Sequence, residues 1–425
     1  MTASPPPYQP VPGHPQPPHQ PTPGAGYPQP PHQPSPGAGY QPTPGYQPLP
    51  HGYPPPPLSH GYPPMPSHLS VPPQSRIRSA EPGTPYHRLA RTAAHRWWRP
   101  VLGTLFTIGG GFAAMMVLII ATMIAGYVTG RPNDADGFPI FGDIPETAFL
   151  LISLALFIPF VLLGARWVQA RPAGSVSSVV GRLRLRWLGV CLLLAIPAVG
   201  LMVAGAVGLF AVTGESLELG GSGWVGIGTF ALSMVMLLAL VPLQASAEEY
   251  VCRGWLLQAV GAFLRTPWVP IGFQALVFAA AHGWGTSWGF ADLLVFGVVL
   301  GWVTIRTGGI EAAVALHVFN NLVAFTVAAA LGGLASDQTA ADAPWQMAVV
   351  NSIVVVGYGL VVTRLAGRMR IEQTVPAEET VPAEEAVPAE ETVRAEEAMP
   401  GQETVPAEEA MPSEEAVPGQ ETVRA

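Results

Sequence analysis

The chain has 425 residues, of which 49% are hydrophobic and only 11% carry a charge. Soluble globular proteins contain about 25% charged residues, so this composition excludes an ordinary soluble enzyme. The formal net charge of −8 is distributed unevenly, with +5 on residues 1–99, zero on residues 100–370 and −13 on residues 371–425. A neutral, apolar middle between two polar extensions is typical of a polytopic membrane protein, and we expect no nucleic-acid partner.

The first predicted segment, residues 1–86, is rich in Pro, Tyr, Gln and His and contains 30 of the 48 prolines. Such a composition cannot bury enough apolar surface to offset the entropy of ordering the chain, so we predict a disordered tail. Its Pro-rich repeats could bind a protein partner, although a solvated tether is the simpler interpretation.

Eight apolar stretches follow within residues 87–370, the predicted transmembrane domain. Most of them reach the roughly 20 residues that a helix needs to cross a hydrocarbon core of about 30 Å. The predicted fold class is all-α, a polytopic membrane bundle of about eight transmembrane helices with disordered tails. In chain order the stretches are roughly 101–128, 146–167, 187–212, 224–243, 268–282, 290–305, 310–334 and 347–365.

Arginine alternates over the connections between these stretches. It occurs before the first span, in the loops between spans 2 and 3, 4 and 5, and 6 and 7, and after the last span. The loops between spans 3 and 4, 5 and 6, and 7 and 8 contain none, and the first loop has one beside three aspartates. Because arginine is enriched in cytoplasmic loops, we predict a multi-pass cell-membrane protein, embedded in the lipid bilayer, with both termini cytoplasmic.

The last segment, residues 371–425, repeats every six residues and carries 15 glutamates against two arginines. A period of six is neither helical nor heptad, and the glutamates repel one another. We therefore predict a disordered acidic tail.

Ionisable residues at membrane depth are costly, and their default interpretation is functional. In the sequence EEYVCR, Glu249 and Arg253 are four residues apart and can pair on a helix. Glu248 is rotated by about 100° from Glu249, so it stays free to face another helix as a candidate general base. The alternative is a structural charged patch at a helix end.

The membrane body contains two histidines, His282 and His317. If residues 248–263 and 268–282 form a helical hairpin that turns near residue 265, Glu248 and His282 each lie 17 residues from the turn. Both would stand about 25 Å from it, so the two side chains should meet. Interhelical hydrogen bonding without a catalytic role is the alternative.

Other polar residues follow in the later spans. His317 and Asn321 are four residues apart and share one face of a helix, where they serve either a reaction or helix association. Asp292 and Glu311 each lie near a predicted membrane interface, and we interpret them as snorkelling side chains.

In this order the motifs resemble those of the CPBP intramembrane proteases, a family of CAAX prenyl proteases and bacteriocin-processing enzymes also called Abi. The family pattern EExxxR, FxxxH and HxxxN corresponds here to Glu248-Glu249 with Arg253, Phe278 with His282, and His317 with Asn321. The resemblance covers residues 224–334, the motif core. Cys252 replaces the aromatic residue that commonly precedes the arginine.

The resemblance implies an intramembrane endopeptidase that acts on a peptide or a membrane-tethered protein. Glu248 with His282 would activate a water molecule, while His317 and Asn321 would stabilise the oxyanion. Arg253, paired with Glu249, would support the helix that carries Glu248.

A rival assignment uses the same atoms, since members of the family are often labelled metalloproteases. Glu248, His282 and His317 could hold one Zn²⁺, so the cofactor is either none or one zinc ion. Three features favour the metal-free form. The sequence contains no HExxH motif, it shows no evident acidic partner for the histidines, and Asn321 is placed beside His317. Two non-proteolytic alternatives remain: a membrane scaffold or immunity-type protein that retains the fold, and a transporter with Glu248 and His282 as a proton relay.

Overall fold

The computed structural model describes residues 76–216, 221, 223–334, 336 and 338–377. Within these ranges the secondary structure is helical, and the described residues include isolated bridges but no strand. The α-helices are α1 (Trp98–Val128), α2 (Asp143–Ala155), α3 (Phe157–Leu163), α4 (Leu185–Thr213), α5 (Ile227–Glu249), α6 (Leu257–Gly261), α7 (Trp268–Ala281), α8 (Ser287–Thr307), α9 (Glu311–Leu331) and α10 (Trp345–Arg368).

Seven stretches of the described chain are long and apolar enough to cross a membrane. The helices α2 and α3, with the π-helical turn Gly164–Val168 that follows α3, form one span, Asp143–Val168. The other spans include α1, α4, α5, α8, α9 and α10. This confirms the predicted all-α membrane bundle. The expected fifth span is different: α7 has 14 residues and a length of about 21 Å, shorter than a 30 Å core, and the loop after it, in which Thr286 donates to Ala341, continues the chain to the arginine-poor end. Gly283 and Gly285, both at positive φ, follow its end and turn the chain.

The fourth span is longer than predicted. The helix does not end at residue 243 but continues past Pro242 to Glu249, through a π-helical segment Tyr250–Leu256, and into α6 as far as Gly261. Arg253 lies in the π-helical segment and is fully buried, so it is not part of a solvated loop. The charge of Arg253 is balanced inside the protein by Glu249, whose Oε1 lies 2.8 Å from its Nη1.

The helix α9 lies at the centre of the bundle and packs against α4, α5 and α8. Every residue from Glu311 to Val318 is buried. The short helix α7 packs closely on α8 because Gly297 has no side chain: a Cβ there would lie 2.8 Å from the Cα of Ala275. This packing brings the end of α7 beside α5 and α9.

The predicted arginine-bearing connections meet at one end of the bundle. There the backbone of Arg78 donates to Ala170, Val179 donates to Gly308, and His87 contacts the carbonyl oxygen of Arg265. The arginine-poor loops meet at the other end, where Thr286 donates to Ala341 and Gly223 to Leu331. The alternation read from the sequence thus separates the two ends, while their assignment to the two sides of the membrane stays a prediction.

The described chain extends into both segments that the sequence predicts to be tails. Gly83 donates its backbone N–H to Val375, Val375 donates to Thr84, and Tyr86 is fully buried. The N-terminal residues 76–86 and the C-terminal residues 371–377 therefore hold each other at the arginine-bearing end. The remaining parts of the predicted disordered tails, 1–75 and 378–425, lie outside the described residues.

The snorkelling interpretation of Glu311 is wrong. Its side chain is fully buried, and its two carboxylate oxygens accept from Nε and Nη2 of Arg184 at 2.9 and 2.8 Å. Asp292 also turns inward, where it accepts hydrogen bonds from Asn351 and Ser352 of α10. Both carboxylates have protein partners, which the sequence spacing does not reveal because those partners lie on distant segments.

Candidate active site

Three helices bring the predicted site residues together. Glu248 lies in the last turn of α5, His282 caps the C-terminus of α7, and His317 lies in the second turn of α9. Oε2 of Glu248 is 3.6 Å from Nε2 of His317 and 3.9 Å from Nε2 of His282. The meeting of Glu248 and His282 that the hairpin predicts is present in the structure.

The hydrogen bonds of the two imidazoles determine where their protons lie. Nδ1 of His282 is 2.9 Å from the carbonyl oxygen of Phe278, and Nδ1 of His317 is 2.7 Å from Oε1 of Glu249. Because both partners are acceptors, each Nδ1 carries a proton, and in the neutral form of each ring the lone pair is on Nε2. In that form three electron-rich atoms, two Nε2 and Oε2 of Glu248, face one another.

Glu249 contacts two partners at once. Its Oε1 accepts from Nη1 of Arg253 at 2.8 Å, in a pair that is fully buried, and from Nδ1 of His317. The guanidinium of Arg253 also lies 4.5 Å from the ring centroid of Phe278. The predicted Glu249–Arg253 pair is present. Glu249 is also the acidic hydrogen-bond partner of His317, and this second contact is not evident from the sequence.

Gln244 is a site residue that the sequence analysis missed. Its Nε2 donates to Oε1 of Glu248, and its Oε1 accepts from Nδ2 of Asn321 at 3.2 Å. The side chain is almost fully buried, with 4% exposed. A signal for it exists in the sequence, because a glutamine one turn before Glu248 interrupts an apolar run on the same helical face.

The site is closed on one side and open on the other. The rings of Phe278 and Phe296 contact the His317 ring edge-on, with centroids 5.8 and 5.4 Å away. The side chains of Glu248 and His282 are 18% and 22% exposed, whereas those of Glu249 and Arg253 are fully buried. With neutral imidazoles, two carboxylates and one guanidinium leave this cluster with a charge of −1.

The donor atoms of Glu248, His282 and His317 match zinc in type. Zinc ligands of about 2.0–2.1 Å in a tetrahedron lie about 3.3–3.4 Å apart, slightly closer than the distances from Glu248 to the two histidines. Within the described residues, no three His, Cys, Asp or Glu side chains are grouped closely enough to hold an ion as they stand. Metal-binding histidines commonly donate their second N–H to a carboxylate or a carbonyl oxygen, as His317 and His282 do here.

A protein-family model matches the part of the chain that contains this site. Residues 229–323 match the family model described as "Type II CAAX prenyl endopeptidase Rce1-like". This range contains Gln244 and all six predicted site residues, from Glu248 to Asn321. The match confirms the resemblance that the three motifs predict.

A relative among the curated proteins is similar over a wider range. The chain is 26% identical over 236 residues to the uncharacterized protein YyaK of Bacillus subtilis (strain 168). The alignment covers 53% of this chain and 76% of that protein. No solved structure matches the chain. The protein is thus a multi-pass, all-α membrane protein with a CAAX-protease-like region, and the match supports protease activity of the CAAX type.

Proposed function

We propose that the chain is an intramembrane endopeptidase that hydrolyses a peptide bond of a peptide or a membrane-associated protein. The observation that carries this proposal is the convergence of Oε2 of Glu248 with Nε2 of both membrane-embedded histidines. Asn321, linked to the same carboxylate through Gln244, adds an amide donor. A base, a water-binding group and an oxyanion donor are the parts that amide hydrolysis requires.

In this proposal Glu248 is the general base. Its Oε2 removes one proton from a water molecule that the lone pair of His282 helps to orient, and the water oxygen attacks the scissile carbonyl carbon. When the C–N bond breaks, the electron pair stays on nitrogen, which takes the proton from Glu248. The products are a carboxylic acid and an amine, and Glu248 is ionised again. The side chain of Glu248 is 18% exposed, although its Oε2 is itself buried in this conformation.

The oxyanion is stabilised by Asn321 and His317. One N–H of the Asn321 amide points to Gln244, which leaves the second N–H to donate to the oxyanion. His317 can donate only as an imidazolium, because its Nδ1–H is held by Glu249. A proton on Nε2 would also cancel the −1 charge of the cluster. Loss of one such donor typically lowers kcat by about 100- to 1,000-fold.

A zinc-dependent form of the same activity is the second candidate. It is favoured by the two histidine lone pairs that face Glu248 and by the acceptors that hold each Nδ1–H. Glu248, His282 and His317 would hold the ion. When bound, zinc would polarise the carbonyl group and lower the pKa of a bound water. Asn321 would keep its role as a hydrogen-bond donor.

The test compares the membrane peptidome of cells that carry the wild-type chain with that of cells that carry Glu248→Gln. The proposal predicts protein fragments that are present with the wild type and missing with the variant, at equal amounts of both proteins. Identical peptidomes would contradict the proposal and favour a non-catalytic scaffold or immunity-type protein.

A further inference from the structure

We infer that Gln244 is a positioning residue that gives the two oxygens of Glu248 different roles. This inference rests on the proposed function. Gln244 donates to Oε1 of Glu248, while Oε2 has no hydrogen-bond partner among the described residues and faces both histidines. Oε1 is thus the anchored oxygen, and Oε2 is the oxygen that reacts.

The chemistry of the groups fixes the orientation of each amide in turn. An ionised carboxylate only accepts, so the NH₂ group of Gln244 must face Glu248. The carbonyl oxygen of Gln244 then faces Asn321, whose NH₂ group must donate to it. The carboxylate therefore sets the orientation of Asn321 from across the helix interface, through one intermediate side chain.

This arrangement joins the proposed base to the proposed oxyanion donor. Glu248 and Gln244 are one turn apart on α5, whereas Asn321 belongs to α9. The near-complete burial of Gln244 keeps water from replacing either bond. Without the Gln244 amide, the Glu248 carboxylate can rotate and Asn321 loses the acceptor that orients it. Both groups then leave the geometry that the reaction needs.

A purely structural role is the competing explanation, and Gln274 provides the matched control. Gln274 is a fully buried glutamine of α7 whose amide donates to the backbone oxygens of Ile271 and Gly297. It lies two turns before His282 and contacts none of the site residues through these bonds. Gln274→Met therefore removes two buried hydrogen bonds without touching the site.

The experiment uses the full chain in lipid nanodiscs and a peptide that spans a cleavage site found in the wild-type peptidome and missing with Glu248→Gln. Gln244→Met should lower kcat by about 10- to 100-fold with KM within about twofold, because it removes a bond to a charged group and leaves substrate contacts intact. Gln244→Glu, which keeps the acceptor for Asn321 but loses the donor to Glu248, should lower kcat at least as much. Gln274→Met should lower Tm and leave kcat of the folded protein unchanged.

A double-mutant cycle separates positioning from a general loss of packing. Because Gln244 also orients Asn321, Gln244→Met should cost less in an Asn321→Ala background than in the wild type. A kcat of both Gln244 variants equal to that of the wild type, or effects of Gln244→Met and Asn321→Ala that simply multiply, would overturn the inference. If Glu248→Gln still cleaves, the proposed function itself fails. If it is inactive while Gln244→Met is fully active, only the positioning role fails.

Discussion

Oε2 of Glu248 lies 3.9 Å from Nε2 of His282, at the meeting point of two helices joined by a turn at the arginine-bearing end. The two residues are equidistant along the chain from residue 265, so helical geometry alone brings them to the same depth. The short length of α7 then ends that helix at His282 rather than at the far membrane surface. Helix length and the position of the turn therefore set the common depth of the two residues, and the rotation of the helices turns their side chains toward each other.

The buried Glu249–Arg253 pair should be essential for the stability of the fold. Arg253→Met leaves the Glu249 carboxylate without its cation in a fully buried position. Breaking one partner of such a pair typically lowers the free energy of unfolding by about 3–5 kcal/mol. Denaturant unfolding in detergent measures this, with the exposed Arg182→Met as the control. An equal stability of the two variants would contradict a structural role for Arg253.

The arginine-bearing end should face the cytoplasm. Asp136 and Arg182 are exposed residues in connections at opposite ends of the bundle. A membrane-impermeant maleimide added to intact cells should label Asp136→Cys at once and Arg182→Cys only after the cells are permeabilised. The native Cys191 and Cys252 are buried and should contribute little background. The reverse labelling pattern would overturn the predicted orientation of both termini.

Docking of the N-terminal segment should weaken in acid. Burial lowers the pKa of His87 below its ordinary value of about 6.5, and the Arg88 charge lowers it further, against a hydrogen bond to the Arg265 carbonyl oxygen that raises it. The unfolded chain therefore takes up the proton more readily, and the free energy of unfolding falls as the pH drops below about 6.5. Tm should fall more for the wild type than for His87→Gln between about pH 7.5 and about pH 5.5. Equal shifts of Tm would show that His87 does not contribute.

Whether substrate cleavage depends on zinc can be measured directly. The metal-free form predicts that protein washed with a chelator contains no zinc and still cleaves its substrate. Metal content by mass spectrometry and the cleavage rate must be measured on the same sample. Activity that is lost on washing and restored by zinc would instead support Glu248, His282 and His317 as ligands.

The sequence is sufficient for most of the fold and for part of the site. Hydrophobic stretches locate the helices because lipid exposure demands apolar side chains on nearly every face. The spacing of Glu249 and Arg253 predicts their pair because both belong to one helix. The bond from Glu249 to His317 depends on how α5 and α9 are rotated against each other, and spacing within a single helix contains no such information.

The same limit applies to the charged residues away from the site. Arg184 precedes α4 and Glu311 begins α9, so their pairing becomes visible only when the bundle is assembled. The π-helical segment Tyr250–Leu256 is likewise not evident from the sequence, because the predicted apolar stretch ends near residue 243 and charged residues follow it. Gln244 differs from these, because its position one turn before Glu248 is visible in the sequence itself.

The most direct test of the account is substrate cleavage by purified Glu248→Gln, compared with the wild type and with Glu311→Gln. We expect Glu248→Gln to remain folded and to lose cleavage by at least about 100-fold, because the amide that replaces the carboxylate cannot take a proton from water. Glu311→Gln, which weakens the buried pair with Arg184 away from the site, should lower Tm but retain kcat in the folded fraction. Cleavage by Glu248→Gln at the wild-type rate would show that Glu248 is not the base.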